Sequence, residues 1–160
     1  MTTPLTDTLK LAIAQLNPTA GDLAGNIALL KAARAEAAAK GAHLIAFAEL
    51  FVTGYPPEDL VRKPAFARAT REAVEDLARL TADGGPGIIT GAIWPEGDKL
   101  YNAVVVIDGG AIQAVRYKVD LPNYGVFDEK RVFDAGPLPG PVSFRGLKLG
   151  IPICEDIWGE

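Results

Sequence analysis

The 160-residue chain contains one cysteine, one histidine and one methionine. It has no run of Lys or Arg, no long apolar stretch and no glycine-rich phosphate loop. Each absence removes a class of function. One cysteine cannot form an internal disulfide, which predicts a reducing, cytoplasmic setting. One cysteine and one histidine leave too few ligands for the usual zinc site, so no metal is expected. The net charge of -4 and the lack of basic clusters argue against nucleic acid and anionic membrane surfaces as partners. No uninterrupted apolar segment nears the roughly 20 residues that span a bilayer. Met1–Asp7 has neither the basic flank nor the apolar core of a signal peptide. There is no Gly-x-Gly-x-x-Gly, no Walker A lysine motif and no Ser-Gly-Gly-x-Asp-Ser, so no ATP site is expected within this stretch.

What is present suits one globular domain large enough for a real core, with 49% hydrophobic and 22% charged residues. Leu9 to Leu16 reads as a first buried strand, closed by Asn17-Pro18 and Gly21-Asp22. Asp22 is placed to cap a helix running to about Lys40, with Leu23, Ile27, Leu30, Ala33 and Ala37 on one face. His43 to Ala48 is a second short, apolar strand. Pro64 opens another helix, with Phe66, Ala69, Ala73, Leu77 and Leu80 as its stripe and possible surface pairs Arg68/Glu72, Arg71/Glu75 and Glu75/Arg79. After Gly84-Gly85-Pro86-Gly87, Ile88 to Ile93 is a third strand. Asn102 to Ile107 and Ala111 to Arg116 flank Asp108-Gly109-Gly110, a strong hairpin signal. A polar loop runs from Lys118 to about Pro141, and Val142 to Arg145 and Lys148 to Ile153 give the last strands. The alternation predicts a mixed α/β sheet with helices on one face. Several strands are apolar on both sides, so the other face must be covered too.

Three residues stand out chemically. Cys154 follows the apolar run Leu149 to Ile153 and precedes a charged, helix-starting segment. That is a strand-to-turn-to-helix setting that can hold a nucleophile on a sharp bend, although a lone cysteine also serves as a small core residue. Glu49 closes the second strand among apolar neighbours, where it is either an exposed strand-end charge or a general base. Lys118 follows the hairpin and is either a solvated charge or a fixed cation that stabilises an oxyanion and keeps a nearby thiol ionised. Glu155 and Asp156 would otherwise repel a thiolate. Tyr55, within a Pro-rich turn, and Phe127 and Glu129, within the long loop, are candidate pocket residues. His43 reads as structural.

Glu49, Lys118 and Cys154 stand in the chain order of the Glu, Lys and Cys of the nitrilase, or carbon–nitrogen hydrolase, superfamily. Ala14 to Asp22, Glu49 to Leu60, Leu121 to Arg131 and Cys154 to Trp158 more closely resemble the N-terminal glutaminase domain of the glutamine-dependent NAD+ synthetases. The resemblance implies a four-layer α-β-β-α sandwich, of which residues 1–160 are the N-terminal part. It implies glutamine hydrolysis, with Glu49 as base, Cys154 as nucleophile, and Lys118 and the Glu155 N–H on the oxyanion. Tyr55, Phe127 and the Glu155 side chain would seat glutamine, and Glu129 would be the second glutamate near the lysine. No cofactor is expected in this chain. ATP and Mg, with nicotinic acid adenine dinucleotide as the amidated partner, would belong to a C-terminal synthetase domain that these residues lack. The resemblance also implies a homo-oligomer at full length. A stand-alone amidase for another small amide, and a non-catalytic module with Cys154 in its core, are the competing readings.

Overall fold

Asp22 starts the first helix as its sequence predicts: its side chain accepts a hydrogen bond from the Gly25 N–H, at 2.8 Å, and α1 runs Leu23–Ala39. The computed structural model describes residues 8–158. Residues 1–7, on which the reading of Met1–Asp7 as no signal peptide falls, and residues 159–160 lie outside them. Strands β1 (Leu11–Ala14), β2 (Leu44–Phe47), β3 (Gly87–Glu96), β4 (Lys99–Asp108) and β5 (Ala111–Tyr117) form one sheet in that order. The first three run parallel, and β3–β4 and β4–β5 are antiparallel. Helices α1 and α2 (Pro64–Leu80) cover one face, closing a core of Leu30, Ile45, Phe47, Val74, Leu77, Ile88, Val105 and Ile107. Burying such a side chain is worth about 1.5–3 kcal/mol. On the opposite face a ribbon of β6 (Val142–Phe144) and β7 (Leu147–Leu149) packs Val142 and Phe144 on Leu44 and Val106. The fold is mixed α/β and nitrilase-like. Of the four layers expected, the described residues supply the helix layer, the main sheet and this ribbon.

Several expectations need correction. β1 is an edge strand and only half buried: Ala12 and Ala14 pack on the helix-side core, whereas Leu11 and Ile13 alternate onto the other face and are 49% and 79% exposed. The inner face of α2 is centred one position away from the stripe of large residues, on Ala67, Thr70, Val74 and Leu77, with Leu80 exposed. Thr70 is buried there because its hydroxyl donates to the Phe66 carbonyl, at 2.9 Å. On α2, Arg71 pairs with Glu75, and Arg79 pairs with Asp76. β3 and β4 extend well beyond the predicted strands into a second hairpin, with Glu96 opposite Lys99. Pro95 is tolerated within β3 because β2 pairs with β3 only as far as Ile89, so the far half of β3 has an open side that needs no donor. The β4–β5 turn is as predicted: Gly109 and Gly110 both have positive φ, 59° and 87°, as a tight primed turn requires. The final predicted strand stops at Leu149, and residues 150–153 are irregular.

Candidate active site

The C-terminal end of β2, the start of β4 and the residue after β5 meet at one end of the sheet, and each delivers a polar side chain there. Glu49 lies two residues beyond β2, on a turn that passes directly over β3. The passage requires Gly91: a Cβ there would lie 2.1 Å from the Leu50 nitrogen and 2.7 Å from the Glu49 carbonyl carbon. The Val52 N–H then donates to the Gly91 carbonyl, at 3.0 Å, which fixes the turn. Lys118 follows β5, and its N–H donates to the Asn102 carbonyl of β4, at 2.8 Å.

The Lys118 ammonium is fully buried between two carboxylates. Its Nζ is 2.7 Å from Glu49 Oε1 and 2.8 Å from Glu129 Oε1, with the glutamate side chains 17% and 8% exposed. Asn102, also buried, donates from Nδ2 to Glu49 Oε1 at 2.7 Å and to Glu129 Oε2 at 3.4 Å. Burial works against the charge on Lys118, but its bonds to Glu129 and Glu49 prevail and hold its pKa above the ordinary lysine value. Burial pushes the Glu129 carboxyl up, with Lys118 opposing. Tyr55 stands beside this cluster, and its phenol is pushed up to about 12 by burial, then by the negative charges of Glu49 and Glu129.

Cys154 opens a short 3-10 turn (Cys154–Ile157) with φ +46°, a left-handed conformation that non-glycine residues rarely adopt. It shares with Glu49 an apolar cavity of about 330 Å³ whose walls include Leu44, Ala46, Val104 and Ile153. The residue as a whole is exposed, yet its thiol pKa is raised by burial against those walls and by the charge of Glu49, with Lys118 opposing. The lysine therefore does not keep the thiol ionised, because its charge is already engaged by two acids. A thiol of this kind needs a base to act as a nucleophile.

The two acidic residues after Cys154 are held by local hydrogen bonds, turned away from the thiol's cavity. The Asp156 carboxylate accepts three backbone N–H bonds: Val119 at 3.0 Å, Asp120 at 2.9 Å and Ile153 at 3.0 Å. It thus ties the cysteine bend to the segment that carries Lys118. Both Glu155 oxygens accept from the Tyr124 hydroxyl at 3.0 Å. That holds the Glu155 side chain at a separate cleft with Pro122 and Trp158. Tyr55, Phe127 and Glu129 line a narrow recess of about 60 Å³, and the Phe127 ring meets Tyr124 edge-on, with centroids 5.6 Å apart. His43 has a structural place, with Nδ1 accepting the Lys10 N–H at 3.1 Å. Among the described residues no group of three or more His, Cys, Asp or Glu is arranged to hold a metal ion, and no helix is long and apolar enough to cross a membrane. Asn102 is a polar contributor that the sequence reading did not single out, and Asp156 reads there only as a charge opposing a thiolate. The signals were an amide opening an otherwise apolar strand and an acid two positions after the cysteine.

A mixed sheet that brings a glutamate, a buried lysine and a bent cysteine to one edge has the layout of a thiol-dependent amide hydrolase. The chain belongs to the carbon-nitrogen hydrolase family, whose profile matches residues 10–159. It is similar to the glutamine-dependent NAD(+) synthetase of Thermotoga maritima, with 43% identity over 94% of this chain and 26% of that protein. It thus spans about a quarter of the length of the curated relatives it matches. Among solved structures it is similar to the glutamine-dependent NAD+ synthetase from Acinetobacter baumannii in complex with ADP. There the TM-score is 0.87, at 36% identity over 94% of this chain and 28% of that one. It is also similar to a mutant amidase from Nesterenkonia sp. AN1 showing covalent addition of the acetamide moiety of fluoroacetamide at the active site cysteine. That match has a TM-score of 0.79, at 28% identity over 93% of this chain and 56% of that one.

Proposed function

We propose that residues 1–160 supply the catalytic Glu, Lys and Cys of the glutaminase part of a glutamine-dependent NAD+ synthetase. The observation that carries the reading is the meeting of Glu49, Lys118 and Cys154 at one sheet edge, in a chain 43% identical to such a synthetase. Glu49 takes the thiol proton as Cys154 Sγ attacks the carboxamide carbon of glutamine. The oxyanion that forms is stabilised by Lys118 and by the Glu155 N–H. A lysine has three donors, and two are held by Glu49 and Glu129, which leaves the third for the oxyanion. The first N–H groups of the 3-10 turn have no partner within it, which suits them to the same charge. Glu49 returns its proton to the departing nitrogen, ammonia leaves, and a thioester remains on Cys154. Glu49 then deprotonates a water that cleaves the thioester, giving glutamate and the free thiol.

Tyr55 and Phe127 would form the wall against which glutamine is seated, with Glu155 contributing from the cleft where Tyr124 holds it. In this reading the ammonia is used elsewhere in a cytoplasmic homo-oligomer. A synthetase unit outside residues 1–160 uses ATP and Mg to activate nicotinic acid adenine dinucleotide for amidation. The likeness to an amidase keeps a stand-alone amide hydrolase as the second reading. The test is Cys154→Ala in the intact protein. Glutamine-dependent NAD+ formation should vanish while ammonia-dependent formation persists. Retained glutamine-dependent synthesis would refute the nucleophile assignment, and hydrolysis of simple amides with no NAD+ formation would favour the amidase.

A further inference from the structure

Asn102 presents an oddity that the reaction above does not use. Its side chain is buried, and its Oδ1 has no hydrogen-bond partner among the described residues. A buried carbonyl oxygen is seldom left this way, and an apolar residue at the same place would avoid the loss. The reason lies on the other side of the amide. Both Nδ2 hydrogens are used on carboxylates, one on Glu49 Oε1 and one on Glu129 Oε2. Turning the amide over would aim Oδ1 at two negative groups, so the orphaned oxygen is the consequence of keeping the donors where they are.

The pattern at Glu49 is asymmetric. Oε1 accepts from Lys118 Nζ and from Asn102 Nδ2, both at 2.7 Å. The Cys154 thiol hydrogen-bonds the same carboxylate, and neither Lys118 nor Asn102 engages Oε2. The charged or titratable groups facing this carboxylate are Lys118 after β5, Glu129 in the long loop, Tyr55 in the turn after β2 and Cys154. Only Lys118 among them is cationic, and Glu129 shares it. Asn102 supplies a second donor without adding charge.

We propose that Asn102 is a positioning residue: by engaging Oε1 of Glu49 together with Lys118, it orients the carboxylate so that Oε2 is the oxygen that takes the Cys154 proton. The proposal rests on the reading of Glu49 as the base. It acts through Glu49 and touches no substrate, since the wall of the cysteine cavity on β4 is Ala103 and Val104.

The test follows the Glu49 carboxyl carbon by NMR against pH in the intact protein, with Asn102→Leu and the shape-conserving Asn102→Asp as variants and circular dichroism as the fold check. A carboxylate that has lost a donor holds a proton more readily, so the transition should move to higher pH in both. The acid limb of glutamine hydrolysis should move with it. At neutral pH kcat should fall on the order of tenfold, the scale of one hydrogen bond to a charged group, while KM for glutamine stays the same. A Glu49 transition that stays in place in a folded variant overturns the proposal, whatever the substrate. A wild-type protein that hydrolyses no glutamine overturns the functional reading instead and leaves the NMR outcome to decide Asn102. Full activity in Glu49→Gln would remove the base assignment itself.

Discussion

Two clusters of buried charge lie at opposite ends of the same sheet, and they are built on different rules. At the end where β3 begins and β4 finishes, Arg145 grips Asp108 with two bonds, at 2.7 and 3.1 Å, and donates to the Gly85 carbonyl at 2.8 Å. Beside it Arg34 grips Asp83 with two bonds, at 2.7 and 2.9 Å, and donates to the Pro86 carbonyl at 2.8 Å. Each cation has one acid, the geometry is bidentate, and the spare donors brace the turn that leads into β3. At the other end one lysine serves two glutamates, an amide fills in as a neutral donor, and one polar oxygen is left without a partner. The first cluster is balanced and complete, as a structural brace should be. The second has an excess of acid beside a thiol that burial keeps protonated, which is what proton transfer needs. Burial of charge alone does not separate the two; imbalance and incompleteness do.

Three substitutions break that comparison, in falling order of effect. Lys118→Met should lower amide hydrolysis by roughly a thousandfold if Lys118 donates to the oxyanion as proposed. It also leaves two carboxylates crowded without a cation, and the two effects should appear together in turnover and in denaturant melts. Arg145→Met strands the buried Asp108 and should destabilise the fold by about 3–5 kcal/mol. Turnover per folded molecule should be unchanged, and an equal loss of both would erase the distinction between the clusters. Asp83→Asn is the gentlest, because the Asp83 side chain is 52% exposed. Solvent should hold its effect to about 1 kcal/mol or less. The Arg34 bond lowers the Asp83 pKa to about 2. The contribution of the pair is therefore complete above the unfolded value of about 3.9 and is lost as pH falls through 2. Wild type and Asp83→Asn should differ in neutral melts and converge in strong acid.

The parts of the molecule legible in the sequence are those decided locally. The Asp22 cap, the two helices and the Gly109-Gly110 turn follow from neighbours in the chain, and all are present. Glu49, Lys118 and Cys154 could be picked out by chemistry and chain order. Illegible were features that exist only once distant segments meet. Ile13 looks like a core residue in any strand, and its exposure depends on which face of the sheet the helices cover. Arg34 and Asn26 sit on the inner face of α1, where an apolar stripe would leave no room for them. They are accepted because Pro86, Asp83 and Val52, far away in sequence, and Thr19, just before the helix, receive their hydrogen bonds. Asp156 read as a charge that would oppose a thiolate, and its carboxylate is instead turned to three backbone donors.

That carboxylate has a mechanical consequence. By joining residue 156 to Val119 and Asp120, it closes the chain between them into a ring without a covalent link. The ring contains Phe127, Glu129 and Cys154, and Lys118 sits at its seam. Closing the ring limits how far these groups can separate, and part of the entropy of bringing them together is lost during folding. The same clasp makes its loss shared: when it opens, Lys118, Phe127, Glu129 and Cys154 lose one common restraint together.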